Sequence, residues 1–341
     1  MKILTTGLIT SAAFVSPALA ITITLDFSHS SSGFFDTGTA DGVKARASVE
    51  AAAADLSAVI TSSLNALSTY HYEGTSSGTT VELDASLGYT NPDTDASESF
   101  SGSLAVDEFK IFVGARSLSG STLGQGGPGS VGVSAGISST NASSAQAAGD
   151  IASGLASAGM TRGAHTVSTL GGGFGSPFNS TYSVEFGPTL GNLWFDNDVS
   201  TTWNLDHTVA PGGSENDLYS VALHEILHSL GVGVSDAWDS NVSGTDWTGA
   251  EAIAENGGSG VGLIDGGGGH IAADVMSTRL SDGVAQEVVM DPNITVGTRK
   301  ELTDLDLAFL RDIGWQTVPE PSSTALLGVA GLGFVFRRKR V

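Results

Sequence analysis

The sequence predicts an α+β domain whose chemistry sits on one helix in its second half. Three observations lead there. Residues 21–27 (ITITLDF) alternate apolar and polar side chains, the period of a half-buried strand. Residues 43–67 contain no Gly or Pro, and Val49, Ala53, Leu56, Ile60 and Leu64 keep an apolar stripe at i, i+3 and i+4 spacing, so a long amphipathic helix is expected. Residues 214–231 read as a second helix with its own start and stop signals, and it carries two histidines.

The remaining elements follow in chain order. Phe34 and Phe35 sit in a Ser/Gly loop. Strands are expected around residues 80–87 and 108–113, the second followed by Gly114. Residues 120–139 are rich in Gly and Ser, which predicts a mobile loop, and residues 141–159 form an Ala/Ser segment compatible with a helix. Asn192 to Phe195 reads as a strand leading into Asp196-Asn197-Asp198. Near the end, Thr303 and Asp306 make a capping-box pattern, and Leu302 is spaced to staple onto Leu307. Leu305, Phe309 and Ile313 give that helix a buried stripe, and Gly314 ends it. No fixed-period repeat is present.

Composition narrows the function classes. The 341 residues carry 14 Lys and Arg against 36 Asp and Glu, a formal net charge of -22. So acidic a balance argues against a nucleic-acid partner, whose phosphates need clustered Lys and Arg to neutralise them. With no cysteine at all, disulfide scaffolds, thiolate metal sites and Cys nucleophiles are excluded. Any metal must sit on histidines and carboxylates.

Both ends read as addresses. Residues 1–20 start with Lys2, run through an apolar stretch and finish on Ala18-Leu19-Ala20, the pattern of a signal peptide cut before Ile21. Residues 319–341 open on Pro319-Glu320-Pro321, continue as an apolar stretch over 322–336 and close on a basic cluster at 337–340. As a helix the apolar stretch spans about 22 Å at ~1.5 Å per residue, short of a ~30 Å hydrocarbon core without flanking residues. The basic end would stay cytoplasmic and leave the body outside. This tail resembles the PEP-CTERM sorting segment of Gram-negative bacteria. The resemblance implies an exosortase-type processing enzyme as partner, transient anchoring in the inner membrane, and delivery to the cell envelope or extracellular matrix. Removing Lys2 and the four terminal basic residues leaves 9 of the 14 cations, and removing Glu320 leaves 35 of the 36 acids, so the body 21–318 stands at -26. That balance favours cations over anionic polymers.

The chemistry lies in the helix at 214–231. Ser214 and Asp217 form a capping-box pattern, Gly231 suits the residue beyond the last turn, and Leu223, Leu227 and Leu230 make one side apolar. His224 and His228 are four apart, hence stacked on one face about 6 Å apart along the axis. Two imidazoles so placed can share one Zn2+. Glu225, one residue on, is turned away from ligation but can reach a water on the metal and take its proton. The motif therefore predicts a hydrolase, specifically a zinc metalloprotease.

Zinc needs a third protein ligand and an open fourth position. The compact metzincin spacing would place the ligand at residue 234, which is Val234. Asp236 and Asp239 are near but off register, Glu251 and Glu255 are the candidates for a downstream glutamate, and His270 is the third option. His270 is favoured, because imidazole completes a neutral three-histidine set and the glycines before it let the backbone bring it in from a distance. The run from His270 to Met276 also resembles the far histidine and Met-turn of long-spacer metzincins such as the leishmanolysins. That resemblance implies a zincin-like two-lobed fold over 21–318 and makes Met276 the apolar floor beneath the metal. A final helix closing on Asp-Ile-Gly-Trp315 extends the likeness over roughly 190–315.

The expected function is an exported zinc-dependent endopeptidase acting on a protein or peptide substrate, with Glu225 as general base toward a metal-activated water. The competing reading is a non-catalytic, acidic surface or matrix protein that retains the fold. Calcium is a second cofactor candidate, at Asn91-Pro92-Asp93-Thr94-Asp95 and Asp196-Asn197-Asp198, although neither has the twelve-residue EF-hand pattern.

Overall fold

A computed structural model describes residues 21–67, 71–76, 78–139, 162, 168–174, 180–264 and 268–318. The leader 1–20, the segment 141–159 and the tail 319–341 with its apolar stretch lie outside them. The described residues form a mixed α/β fold with many strands and few helices. None of these helices is long and apolar enough to cross a membrane.

The first expected strand is β1 (Thr22–Asp26). Helix α1 (Ala40–Val59) follows, N-capped by Thr39, whose hydroxyl accepts from the Gly42 amide. It is shorter than its stripe predicts. Ile60 leaves the helix in extended conformation and pairs with Thr317, and Leu64 carries the stripe on into the core from non-helical chain. The β-branched pair Val59-Ile60 and the serines behind it favour this exit. All five stripe residues are buried.

The remaining strands before the central helix are β2 (His71–Ser76), β3 (Thr79–Thr90), β4 (Ser97–Phe100), β5 (Glu108–Arg116), β6 (Gly124–Pro128), β7 (Ser130–Ser139), β8 (Ser168–Phe174), β9 (Ser180–Phe186) and β10 (Leu190–Asp196). The main sheet has the order β1-β5-β10-β6. Its first three strands are parallel and β6 is an antiparallel edge. Burial on every residue of β10 is what an inner parallel strand requires. A second sheet joins β2, β3, β4 and β7, and β8 pairs with β9.

Two of these strands overturn the loop expected at 120–139. Glycine-rich chain is a poor strand former, yet the stretch is paired almost throughout: β6 against β10 and β7 against β3. The reason is close approach. A Cβ at Gly126 would come within 2.5 Å of the Glu225 carbonyl oxygen, so only glycine lets the edge strand lie on the helix beneath it.

After β10, the short strands β11 (Trp203–Asn204) and β12 (Asn216–Asp217) pair in parallel and lead into α2 (Leu218–Ser229). The lower part of the molecule holds α3 (Asp236–Asp239), β13 (Val242–Ser243), β14 (Asp246–Trp247), α4 (Ala250–Glu255), β15 (Val261–Gly262), the hairpin β16 (Met276–Thr278) with β17 (Ala285–Glu287), and α5 (Asp304–Asp312). One large core joins α1, the main sheet, α2 and α5. Its lower corner is sealed by Trp315, whose indole donates to the Leu230 carbonyl at 2.9 Å.

Candidate metal centre

Helix α2 starts three residues later than the pattern at Ser214 suggests. Asp217 is the N-cap, its carboxylate accepting from the Ser220 amide at 3.2 Å. The chain before it is extended and bridged to 203–204, so no earlier turn can form. Asp217 is fully buried, and Arg299 donates to both its oxygens, from Nη2 at 2.7 Å and Nε at 2.9 Å. At the other end Gly231 adopts φ 104°, the left-handed stop the sequence calls for.

On this frame His224 and His228 sit with ring centroids 4.8 Å apart. Each ring is anchored through Nδ1: His224 to the Val289 carbonyl and His228 to the Val232 carbonyl, both at 2.8 Å. A carbonyl only accepts, so Nδ1 carries the proton in each ring and Nε2 keeps its lone pair. His270 completes the group, its ring 5.1 Å from His224 and 4.9 Å from His228 by centroid. The ligand atoms of the three lie within 4.8 Å of one another.

His270 arrives by backbone docking. Leu263 bridges Ile271, the Ile264 amide donates to the His270 carbonyl, and the Ile271 amide donates to Met290, both at 3.1 Å. Gly269 lies flat on Gly233 in the turn after α2, where a Cβ on Gly233 would stand 2.1 Å from the Gly269 carbonyl oxygen. Gly233 also needs φ +79°.

The electrostatics favour a cation. Burial holds His224 well below the ordinary imidazole value, with the neighbouring His228 adding to it. Burial, then His270, brings His228 down to about 4, and burial lowers His270 as well. Three neutral imidazoles therefore face one another, and His224 and His228 each present an unprotonated Nε2. The Nε2 atoms of His228 and His270 are 3.2 Å apart, close to the ~3.3 Å that a tetrahedral centre with ~2.05 Å zinc–nitrogen bonds imposes. Glu225 is 6 % exposed, and burial pushes its carboxyl up to about 8. Among the described residues no donor meets that carboxylate. The donor set fits zinc: nitrogen ligands, no charge among them, and an acid alongside whose ionised form lacks a counter-charge.

The three histidines and Glu225 line a cleft of about 1070 Å³, roofed by residues 120–126 and floored by 289–294 with Lys300. Gly124 keeps the roof off the carboxylate, since a Cβ there would stand 3.1 Å from Glu225 Oε1. Lys300 is buried in the cleft wall, its Nζ 2.8 Å from the Asn293 carbonyl and 3.2 Å from Glu287.

Several sequence expectations lie elsewhere. Met276 is no floor: it opens the β16–β17 hairpin and is 54 % exposed. Its strand pairing turns it toward solvent, and the buried methionine of the region is Met290, next to the Val289 carbonyl that anchors His224. Glu251 pairs with Arg311, Glu255 ends α4 and Asp236 opens α3, and none joins the histidine group. The two acidic loops are bonded within themselves and to the end of β5 and the chain just after it: Asn91 Oδ1 accepts from the Asp93 amide, Asp95 meets Arg116, Asp196 accepts from Leu118, and Asp198 turns back on Ser200. Sequence reasoning missed Gly124, Gly126, Gly233, Gly269 and Lys300. The glycine runs look like loop composition, and only the close backbone approach separates them from ordinary linkers.

Residues 317–340 match the PEP-CTERM protein-sorting motif, so Pro319, Glu320 and Pro321 belong to a tail that marks an exported, envelope-sorted chain handled by an exosortase-type processing enzyme. No curated protein and no solved structure matches the chain.

Proposed function

We propose that this chain is an exported zinc-dependent endopeptidase of zincin-like fold. The observation that carries the reading is the convergence of His224, His228 and His270, each neutral and all pointing ligand nitrogens at one spot, beside the buried carboxylate of Glu225. The three histidines would hold the metal and leave a fourth position open to the cleft. When bound, zinc supplies Lewis-acid polarisation of a carbonyl and acidifies water. A cation beside Glu225 draws its carboxyl down from about 8, so that it is ionised at neutral pH. Glu225 then accepts the proton of the attacking water and returns it to the departing amine. Edge strand β6 supports a peptide as substrate, because no strand among the described residues pairs with its outer side along the cleft roof, where an extended segment can add as a further strand.

The test measures zinc per chain and cleavage of an unfolded protein for wild type, Glu225→Ala and His270→Ala. Wild type should hold one zinc and cleave, Glu225→Ala should hold zinc without cleaving, and His270→Ala should bind weakly. A wild type that binds no zinc at micromolar supply ends the enzyme reading. Zinc bound with no turnover would leave an acidic surface protein on a retained fold.

A further inference from the structure

Helix α5 begins in the capping box the sequence predicts: the Thr303 hydroxyl accepts from the Asp306 amide, and the Asp306 carboxylate accepts from the Thr303 amide at 3.0 Å. That carboxylate does more than close the helix end. Both its oxygens also accept from the Val289 amide, at 3.1 and 3.2 Å. Val289 in turn offers its carbonyl to His224 Nδ1 at 2.8 Å. Asp306 and Thr303 are both fully buried, so the chain of contacts runs through the interior without solvent. A capping residue has no need of a partner seventeen positions upstream.

We propose that Asp306 is the positioning residue for His224. The amide and the carbonyl of Val289 belong to different peptide groups, so the effect is geometric. By fixing the Val289 amide, Asp306 sets the backbone dihedrals that aim the Val289 carbonyl. The aimed carbonyl fixes both the tautomer and the ring plane of His224 and leaves Nε2 facing the other two histidines. Loss of an acceptor bonded directly to a ligand changes metal affinity by about 10- to 100-fold, and Asp306, one step behind that acceptor, acts by aiming it. His228 has a local equivalent in the Val232 carbonyl of its own helix terminus. His224 stands mid-helix and must borrow its acceptor from a loop, which is why that loop needs an external brace. The inference rests on the zinc-site reading above, but the tautomer it predicts exists without metal.

The experiment compares Asp306→Ala, Asp306→Asn and Thr303→Ala in the full chain. Readouts are zinc affinity by chelator competition, the Co2+ absorption bands, the melting temperature, and the ¹⁵N tautomer signature of His224 in the metal-free protein. Asp306→Ala should weaken zinc 10- to 100-fold, shift the Co2+ bands and mix the His224 tautomers. Asp306→Asn keeps Oδ1 as the acceptor for Val289 and loses the bond from the Thr303 amide, while the Thr303 hydroxyl turns to accept from the new side-chain amide. The melting temperature should therefore fall but affinity return to within about threefold. Thr303→Ala should lower the melting temperature and leave zinc affinity within about twofold. If Asp306→Ala does not fold, Asp306→Ser, too short to reach Val289 but able to meet Thr303, replaces it. Zinc affinity that tracks melting temperature across all variants, or a single His224 tautomer surviving in Asp306→Ala, overturns the proposal. A wild type without zinc affinity but with the predicted tautomer shift would sink the metal reading and spare the positioning.

Discussion

Helix α2 and the glycine-rich arm that ends at His270 deliver ligands to the same point by opposite means. The helix holds His224 and His228 by its own periodicity and locks each ring on a carbonyl. The arm holds the His270 backbone, through Ile264, Met290 and the Gly233–Gly269 contact, while the ring's polar contact is with His228 itself. Two rings are thus set on backbone carbonyls before any metal arrives, while the third is held by its backbone and by its contact with His228. The helix supplies the precision of the site and the arm supplies its closure.

Removing one imidazole from each region is the strongest way to break this comparison. Structural zinc sites bind with about 10–16 kcal/mol over four ligands, so one ligand is worth roughly 3 kcal/mol, more than 100-fold in affinity. His228→Ala should show that full loss. His270→Ala should lose affinity as well, but added imidazole should restore much of it, because His270 stands half-buried at the cleft while His228 is buried. Zinc competition titrations with and without imidazole measure both. Equal rescue of the two variants would erase the distinction between the two kinds of ligand.

Acid sharpens the comparison in the metal-free chain. His228 falls from 6.5 to about 4 on folding because of burial. Below pH 6.5 the unfolded chain gains a proton that the folded chain refuses, so stability drops as the pH falls and the loss is complete near 4. At about 1.4 kcal/mol per unit this is about 3 kcal/mol, and His224 adds in the same direction. Burial raises Glu225 to about 8 and Asp306 to about 6, and both act with the opposite sign over this range, so the readout is a difference. In chelator, the melting temperature of wild type should fall more, or rise less, between pH 6.5 and 4 than that of His228→Gln, with His224 still contributing in both. Identical profiles for the two proteins would mean that His228 is not held neutral.

The same contrast explains what was legible in the sequence. His224, Glu225 and His228 can be read from spacing alone, because a regular helix converts sequence separation into direction. The capping box at Thr303 and the stops at Gly231 and Gly314 are legible for the same reason, being local. The end of α1 is not, because the pairing of Ile60 with Thr317 joins residues most of the chain apart. Nor are β6 and β7, where glycine reads as loop until the helix they press on is known. His270 could be chosen for its chemistry, but Met276 rests on the likeness to a Met-turn, and a hairpin carries it to the surface. The buried Met290 lies fourteen residues further on, reached only through the tertiary pairing of Ile271 with its carbonyl.

The smallest change tests the arm's seat directly. Gly269→Ala adds one methyl group, placed 2.6 Å from the Gly233 carbonyl oxygen, which must move the arm or the turn after α2. No side chain is lost, and His270 keeps its ring. If the arm's backbone docking is what delivers the ligand, zinc affinity should fall by about tenfold, the scale of lost support behind a ligand. Helix content and the acid slope set by His228 should stay as in wild type, since α2 and its anchoring carbonyls are untouched. Circular dichroism and zinc competition on the same samples decide it. A Gly269→Ala protein with undiminished zinc affinity would show that His270 finds the metal through the freedom of its arm, and that the contact with Gly233 is incidental.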